Sequence, residues 1–283
     1  MYWVEEAAKH AEKAEEQGES IGHYIMHHIQ DSHEWNLFGY HIHLPEIKVT
    51  VPVLNVPLDL SITLHTLMMW FAALFLILAF WLSFRKRKLV YGGFAGVLES
   101  ITLFVRDEIA IPNLGEKAGK QLTPFLATMF FFILTANLMG LIPLFATATG
   151  NISVTAALAT VTFFATQIYG MKQNGIIGYW KNLAPHGLPA PLYLIIVPIE
   201  ILGLFTKPFA LAMRLFANMM AGHTVILALL GLIIALGMLA VAPFSVGMAL
   251  FISLLEILVA FIQAYIFTML SSLFIGMAMF PEH

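Results

Sequence analysis

Between Gln121 and Pro281 the chain carries only six charged side chains: Lys172, Lys181, Glu200, Lys207, Arg214 and Glu256. Soluble domains devote about a quarter of their residues to Asp, Glu, Lys and Arg. This chain of 283 residues is 59% hydrophobic and 11% charged, with a mean hydropathy of +0.83. It lacks the polar coat that one or two soluble domains would need. The composition is that of a polytopic membrane protein.

The same numbers exclude other classes. A net charge of −3, with no Lys/Arg cluster interleaved with aromatics, argues against nucleic acid as a partner. The absence of cysteine removes disulfides, thiolate metal sites and cysteine nucleophiles. Residues 1–20 are too charged for a signal peptide and too acidic for a transit peptide, so the mature chain is expected to begin near Met1. There is no phosphate-cradling glycine loop and no nucleophile elbow. The leader holds His10, His23, His27, His28, His33, His41 and His43, with His23 and His27 one helical turn apart. No zinc-binding signature accompanies them, so neither a metal nor a cofactor is expected.

Two parts follow from the pattern: a polar leader over 1–58 and a membrane domain over 59–283. Within the leader, 4–17 is rich in Ala, Glu and Lys and suits a short helix. Residues 37–58, with Pro45, Pro52 and Pro57 among β-branched side chains, read as extended. The apolar runs are long enough for helices that cross a hydrocarbon core of about 20 residues. They predict spans at about 60–84, 122–147, 152–171, 190–242 and 244–280. Over 93–110, Phe94, Val97, Leu98, Ile101, Phe104, Val105 and Ile109 recur at three- and four-residue steps against Glu99, Arg106, Asp107 and Glu108. That stripe predicts an amphipathic helix in the membrane interface, or equally one packed on protein. The fold class is therefore all-α, with about five crossings. A rival count splits the fourth run at Lys207 and Pro208 and gives six.

Ionisable groups inside spans are costly, roughly 2.5–3.5 kcal/mol for a central arginine, so each needs a reason. Glu200, Lys207 and Arg214 are seven apart and share a stripe on one helix, which Asn218 extends. His223 is nine residues past Arg214, about half a turn out of phase, and should face something else. Glu256 and Gln263 share a face of the last run. Arginine stays protonated and cannot relay a proton, but it can hold a fixed charge opposite a carboxylate. Imidazole and carboxyl groups can exchange protons near neutral pH. A static cation beside a proton path is what a conductor with a built-in barrier requires. The plainer readings are an Arg214 that snorkels to the interface, a His223 satisfied within the core, an interfacial anchor at Lys207, and Asn218 and Gln263 as interhelical glue.

The stretch Thr206-Lys-Pro-Phe-Ala-Leu-Ala-Met-Arg214-Leu-Phe-Ala-Asn218-Met-Met-Ala-Gly-His223 closely resembles the signature of subunit a of bacterial F-type ATP synthase. The resemblance extends to Asn137-Leu-Met-Gly-Leu-Ile-Pro143, to Glu256 with Gln263, and to the tail 276–283. It implies a non-catalytic, proton-conducting stator subunit with two offset half-channels serving a rotating c-ring. Arg214 then matches the arginine that faces the ring carboxylate. Asn218, His223, Glu256 and Gln263 match the half-channel open to the outside, and Glu200 matches the cytoplasmic one. The implied partners are the c-ring, the b-subunit peripheral stalk, the remaining synthase subunits and membrane lipid. The resemblance also implies that the last two helices form a long tilted hairpin, which favours five crossings. Many bacterial members carry the acid at the position of His223 and the histidine at that of Glu256, so here the two are exchanged. The competing classes are a stand-alone secondary proton antiporter or permease, which should show repeated halves, and a metalloenzyme built on the leader histidines.

Loop charges orient the chain. Arg85, Lys86, Arg87, Lys88, Arg106, Lys117, Lys120, Lys172 and Lys181 belong on the cytoplasmic side, whereas the turns near Gly150 and Pro243 carry no Lys or Arg. The leader is then external and the C-terminus cytoplasmic, in a bacterial inner membrane. Because the chain has no cysteine, single cysteines placed beside Gly18 and His283 test this directly. In intact cells an impermeant thiol reagent should label the first and spare the second.

Overall fold

The computed structural model describes residues 34–37, 40–45, 48–51, 56–59, 61, 63–86, 91–142, 145–181, 190–236 and 242–281. The helix expected over 4–17 and the histidines from His10 to His33 lie outside these residues. Two antiparallel hairpins form here, and residues 37–58, expected to be extended, supply most of them, while the first strand begins three residues earlier. Strand β1 (Glu34–Leu37) pairs with β2 (Tyr40–His43), Glu34 opposite His43. Strand β3 (Lys48–Val51) pairs with β4 (Val56–Asp59), Lys48 opposite Asp59.

The membrane part is all-α. Helix α1 (Leu64–Phe84) starts at Thr63, whose hydroxyl accepts from the Thr66 amide. Helix α2 (Phe94–Phe104) runs through a π-helical turn (Val105–Ala110) into α3 (Ile111–Gly140). A 3-10 turn (Ala148–Gly150) leads to α4 (Ile152–Asn174), and the short α5 (Ile176–Lys181) follows. The last two helices are α6 (Ala190–Leu236) and α7 (Ala242–Met279). Among the described residues, five segments are long and apolar enough to cross a membrane: Leu64–Phe84, Phe94–Gly140, Ile152–Asn174, Leu194–Ile233 and Ala242–Met279. Helix α6 continues through Pro198 and Pro208, so the six-span count, with its break at Lys207 and Pro208, is not the one adopted.

The stretch 93–110 departs from a free-standing interfacial helix, because it is continuous with α3. Its stripe is divided: Leu98, Val105 and Ile109 are buried against protein, while Phe94, Val97 and Phe104 are exposed. Within the π turn, the carbonyl of Ile109 accepts from Asn113 Nδ2 at 2.8 Å and from Ser272 Oγ of α7 at 3.2 Å. Gly115 kinks α3 at φ 75°, ψ 167°, a conformation that only glycine adopts readily.

Helix α7 is the centre of the bundle. Its buried face carries Ala249, Ala260, Ala264, Ser271, Ser272 and Gly276, small residues that let neighbouring backbones approach. Thr162 of α4 bonds Ser271 at 3.1 Å. Asn174 Nδ2 donates to the carbonyls of Ala278 and Met279 at 3.0 and 3.1 Å, satisfying acceptors that the end of α7 leaves open. The opposite face of α7, with Phe244, Leu250, Phe251, Leu254, Leu258 and Phe261, stays exposed.

Candidate functional site

The α6/α7 hairpin is antiparallel, and its contacts fix the register. His223 lies opposite Glu256, Asn218 opposite Gln263, and Lys207 opposite Phe274. The apolar seam is made by Leu211, Ala212, Leu215 and Met219 of α6, all buried, against Ala260, Ala264 and Phe267 of α7. That seam holds the polar residues in a ladder along one hairpin.

At one end of the ladder, His223 Nδ1 is 4.0 Å from Glu256 Oε1. Glu256 is 6% exposed, and among the described residues neither of its carboxyl oxygens has a hydrogen-bond donor. The imidazole of His223 is the titratable group within ion-pair distance of it. The carboxyl rests on Gly222. A methyl group built there would lie 2.7 Å from Glu256 Cδ, so any side chain at this position would have to push the carboxyl aside. On its other side, His223 Nε2 meets the Thr147 hydroxyl. Next to Thr147, Thr149 Oγ1 donates to Asn137 Oδ1 at 2.6 Å, and both residues are fully buried. One turn inward, Asn218 Nδ2 donates to Gln263 Oε1 at 3.0 Å. Asn137, expected as part of a motif without a stated role, therefore joins this end through Thr149.

Arg214 is one turn further along. Its side chain is exposed on α6, and no ion pair or hydrogen bond reaches it among the described residues. It lies ~13 Å along the helix axis from His223 and ~21 Å from Glu200, at 1.5 Å per residue.

The other end is a cavity of about 690 Å³. Glu200, Lys207, Asn113, Thr166, Gln167 and Tyr179 supply its polar lining. The ammonium of Lys207 sits 5.8 Å from the centre of the Phe274 ring, on the wall of the cavity that Glu200 also lines. Tyr179 packs on Gly170, and burial pushes its phenol above the ordinary value, so it stays a neutral hydroxyl.

The structure brings together His223 with Glu256, Asn218 with Gln263, and Glu200 with Lys207. It leaves Arg214 facing outward between these groups. Sequence reasoning missed Thr147, Thr149 and Gly222. The only signal was the proximity of two threonines to a short turn, which any connecting loop can show.

Residues 66–276 match the family described as ATP synthase A chain. The chain belongs to that family. It is 56% identical over 229 residues to the ATP synthase subunit a of Myxococcus xanthus, covering 80% of this chain and 75% of the relative. The counterpart from Anaeromyxobacter dehalogenans strain 2CP-C is 48% identical over 295 residues, covering 95% and 74%. That of Chloroherpeton thalassium is 48% identical over 264 residues, covering 91% and 77%. Most of the family match falls on the helices that carry the ladder and the cavity.

The contact of Glu256 with Gly222 generates a test. Gly222→Ala should displace the carboxyl from His223 and lower proton pumping at least tenfold in assembled complexes. Adding Glu256→Asp, which shortens the side chain by one methylene, should recover part of the loss. Acid-quenched fluorescence of a pH dye in membrane vesicles reads both.

Proposed function

We propose that the chain is the proton-conducting stator subunit of a rotary F-type ATP synthase, coupling proton flow to the turning of a proteolipid c-ring. The observation that carries this reading is the outward-facing Arg214, set between two polar regions at opposite ends of one helix hairpin. Protons enter from outside along Asn137, Thr149, His223 and Glu256, pass the level of Asn218 and Gln263, and neutralise a ring carboxylate. After the ring turns, the proton leaves through the cavity of Glu200 and Lys207 to the cytoplasm.

Arg214 is the barrier. A guanidinium does not deprotonate at working pH, so it cannot hand a proton from one region to the other. It favours the ionised form of a carboxylate that arrives opposite it. Each proton crossing 100 mV supplies about 2.3 kcal/mol to the rotation. The phosphate chemistry belongs to other subunits, and this chain is non-catalytic. The b-subunit stalk would hold it against the torque. The His223 end faces outside and the Glu200 end faces the cytoplasm, in line with the basic residues Arg85, Lys86, Lys172 and Lys181. An antiporter is not favoured, because the family match points to the synthase.

Arg214→Ala should abolish ATP-driven pumping and proton-driven synthesis while complexes still assemble, since removing the charge relieves a cost of a few kcal/mol. Arg214→Lys should fail as well, because lysine lacks the planar fork and deprotonates more readily when desolvated. Near-normal coupled pumping by assembled Arg214→Lys complexes in reconstituted vesicles would contradict the barrier role.

A further inference from the structure

The Thr147 hydroxyl sits between two groups. It meets Nε2 of His223 on one side and donates to the Gly140 carbonyl at 3.4 Å on the other. The threonine is 6% exposed and held in place from both directions. Its carbonyl closes the 3-10 turn by accepting from the Gly150 amide at 2.8 Å. Its side chain fills the space that a Cβ on Gly140 would occupy, 2.7 Å from Thr147 Cβ.

A hydroxyl has one proton to give. The Gly140 carbonyl can only accept, so the Thr147 proton goes there and its lone pairs face the imidazole. In that arrangement Nε2 of the ring carries a hydrogen and donates to Thr147. That leaves Nδ1 bare and turned toward Glu256 Oε1, 4.0 Å away. We infer that Thr147 is a positioning residue for proton transfer, holding His223 in the orientation and tautomer whose Nδ1 exchanges a proton with the carboxyl of Glu256. The step balances. The proton leaves the carboxyl oxygen for Nδ1, the resulting imidazolium donates to Thr147 and Glu256, and the proton returns by the same atoms. Glu256 on α7 is the charged group within ion-pair distance. Among the described residues His65 is the other titratable side chain on this side, buried on the α1 turn next to Met68 and Ala72, which pack with Ala136 and Ala148 beside the turn.

The inference rests on the reading of the chain as a proton conductor, and the test separates the two. Whole complexes carrying Thr147→Val, which keeps the shape, and Thr147→Ser, which keeps the hydroxyl, are reconstituted in proteoliposomes. ATP synthesis under an imposed gradient is followed across a series of pH values on the proton-uptake side. Thr147→Val should lower the rate roughly five- to tenfold, the weight of one hydrogen bond. It should also move the midpoint of the pH profile by about half a unit or more, because the bond that Nε2–H makes to Thr147 is stronger in the charged imidazolium than in the neutral ring. Thr147→Ser should restore both. An unmoved midpoint with Thr147→Val, whatever the amplitude, overturns the inference, as does a serine complex that behaves like the valine one. If the valine complex does not assemble, Thr147→Ala is read against Thr147→Ser by the same two criteria. Failure of unsubstituted complexes to synthesise ATP under the gradient would instead overturn the functional reading.

Discussion

A guanidinium that cannot lose its proton, held on the apolar flank of a long helix, is the constraint around which this molecule is arranged. Placing Arg214 among hydrocarbon costs a few kcal/mol, and among the described residues nothing in the chain offsets that cost. The compensation proposed here is a carboxylate brought by a partner, and the chain's own carboxyls form no ion pair with Arg214 among the described residues. The carboxyls of Glu256 and Glu200 lie on either side along the helix axis, too far to pair with Arg214 in this structure. A carboxylate of its own at ion-pair distance would neutralise the cation and remove its reason to wait for a moving one.

Packing enforces that separation. The α6/α7 seam is made of buried aliphatic and small side chains, Leu211, Leu215 and Met219 against Ala260, Ala264 and Phe267. It fixes the hairpin register, so Glu256 can meet only the His223 level and Gln263 only the Asn218 level. The α7 face turned to α3 and α4 is equally tight, with Ser272 bonding the carbonyl of Ile109 and Asn174 closing backbone acceptors that the helix end would otherwise leave open. A rigid frame of this kind lets the groups differ sharply in surroundings over short distances: Glu256 is buried, and Arg214, two to three turns away, is exposed.

The helical membrane architecture was legible because hydrocarbon leaves so little freedom: apolar runs of sufficient length are helices. The seven-residue spacing of Glu200, Lys207 and Arg214, and the phase of His223, also carried through, since they depend only on helical geometry. What the sequence could not convey was contact between elements distant in the chain. Thr147 and Thr149 read as ordinary turn residues, and their link to His223 and Asn137 exists only once α3 and α6 are packed. Gly222 looked like any small residue in a span, and its role is the room it leaves for a carboxyl from α7. The stripe at 93–110 was read with the right period, but a periodic pattern does not reveal whether the helix ends or continues through a π turn into the next one. The alignment of Lys207 with Glu200 followed from their seven-residue spacing, whereas the Phe274 ring opposite Lys207 belongs to another helix and could not be read from it.

The central claim is that Arg214 waits for a carboxylate from another chain. The most direct measurement is a structure of the assembled, membrane-embedded complex. The account predicts the Arg214 guanidinium within about 4–6 Å of one acidic side chain of the c-ring, with no side chain of this subunit between them. An Arg214 paired with a carboxylate of its own chain, or turned to lipid headgroups at either surface, would contradict it.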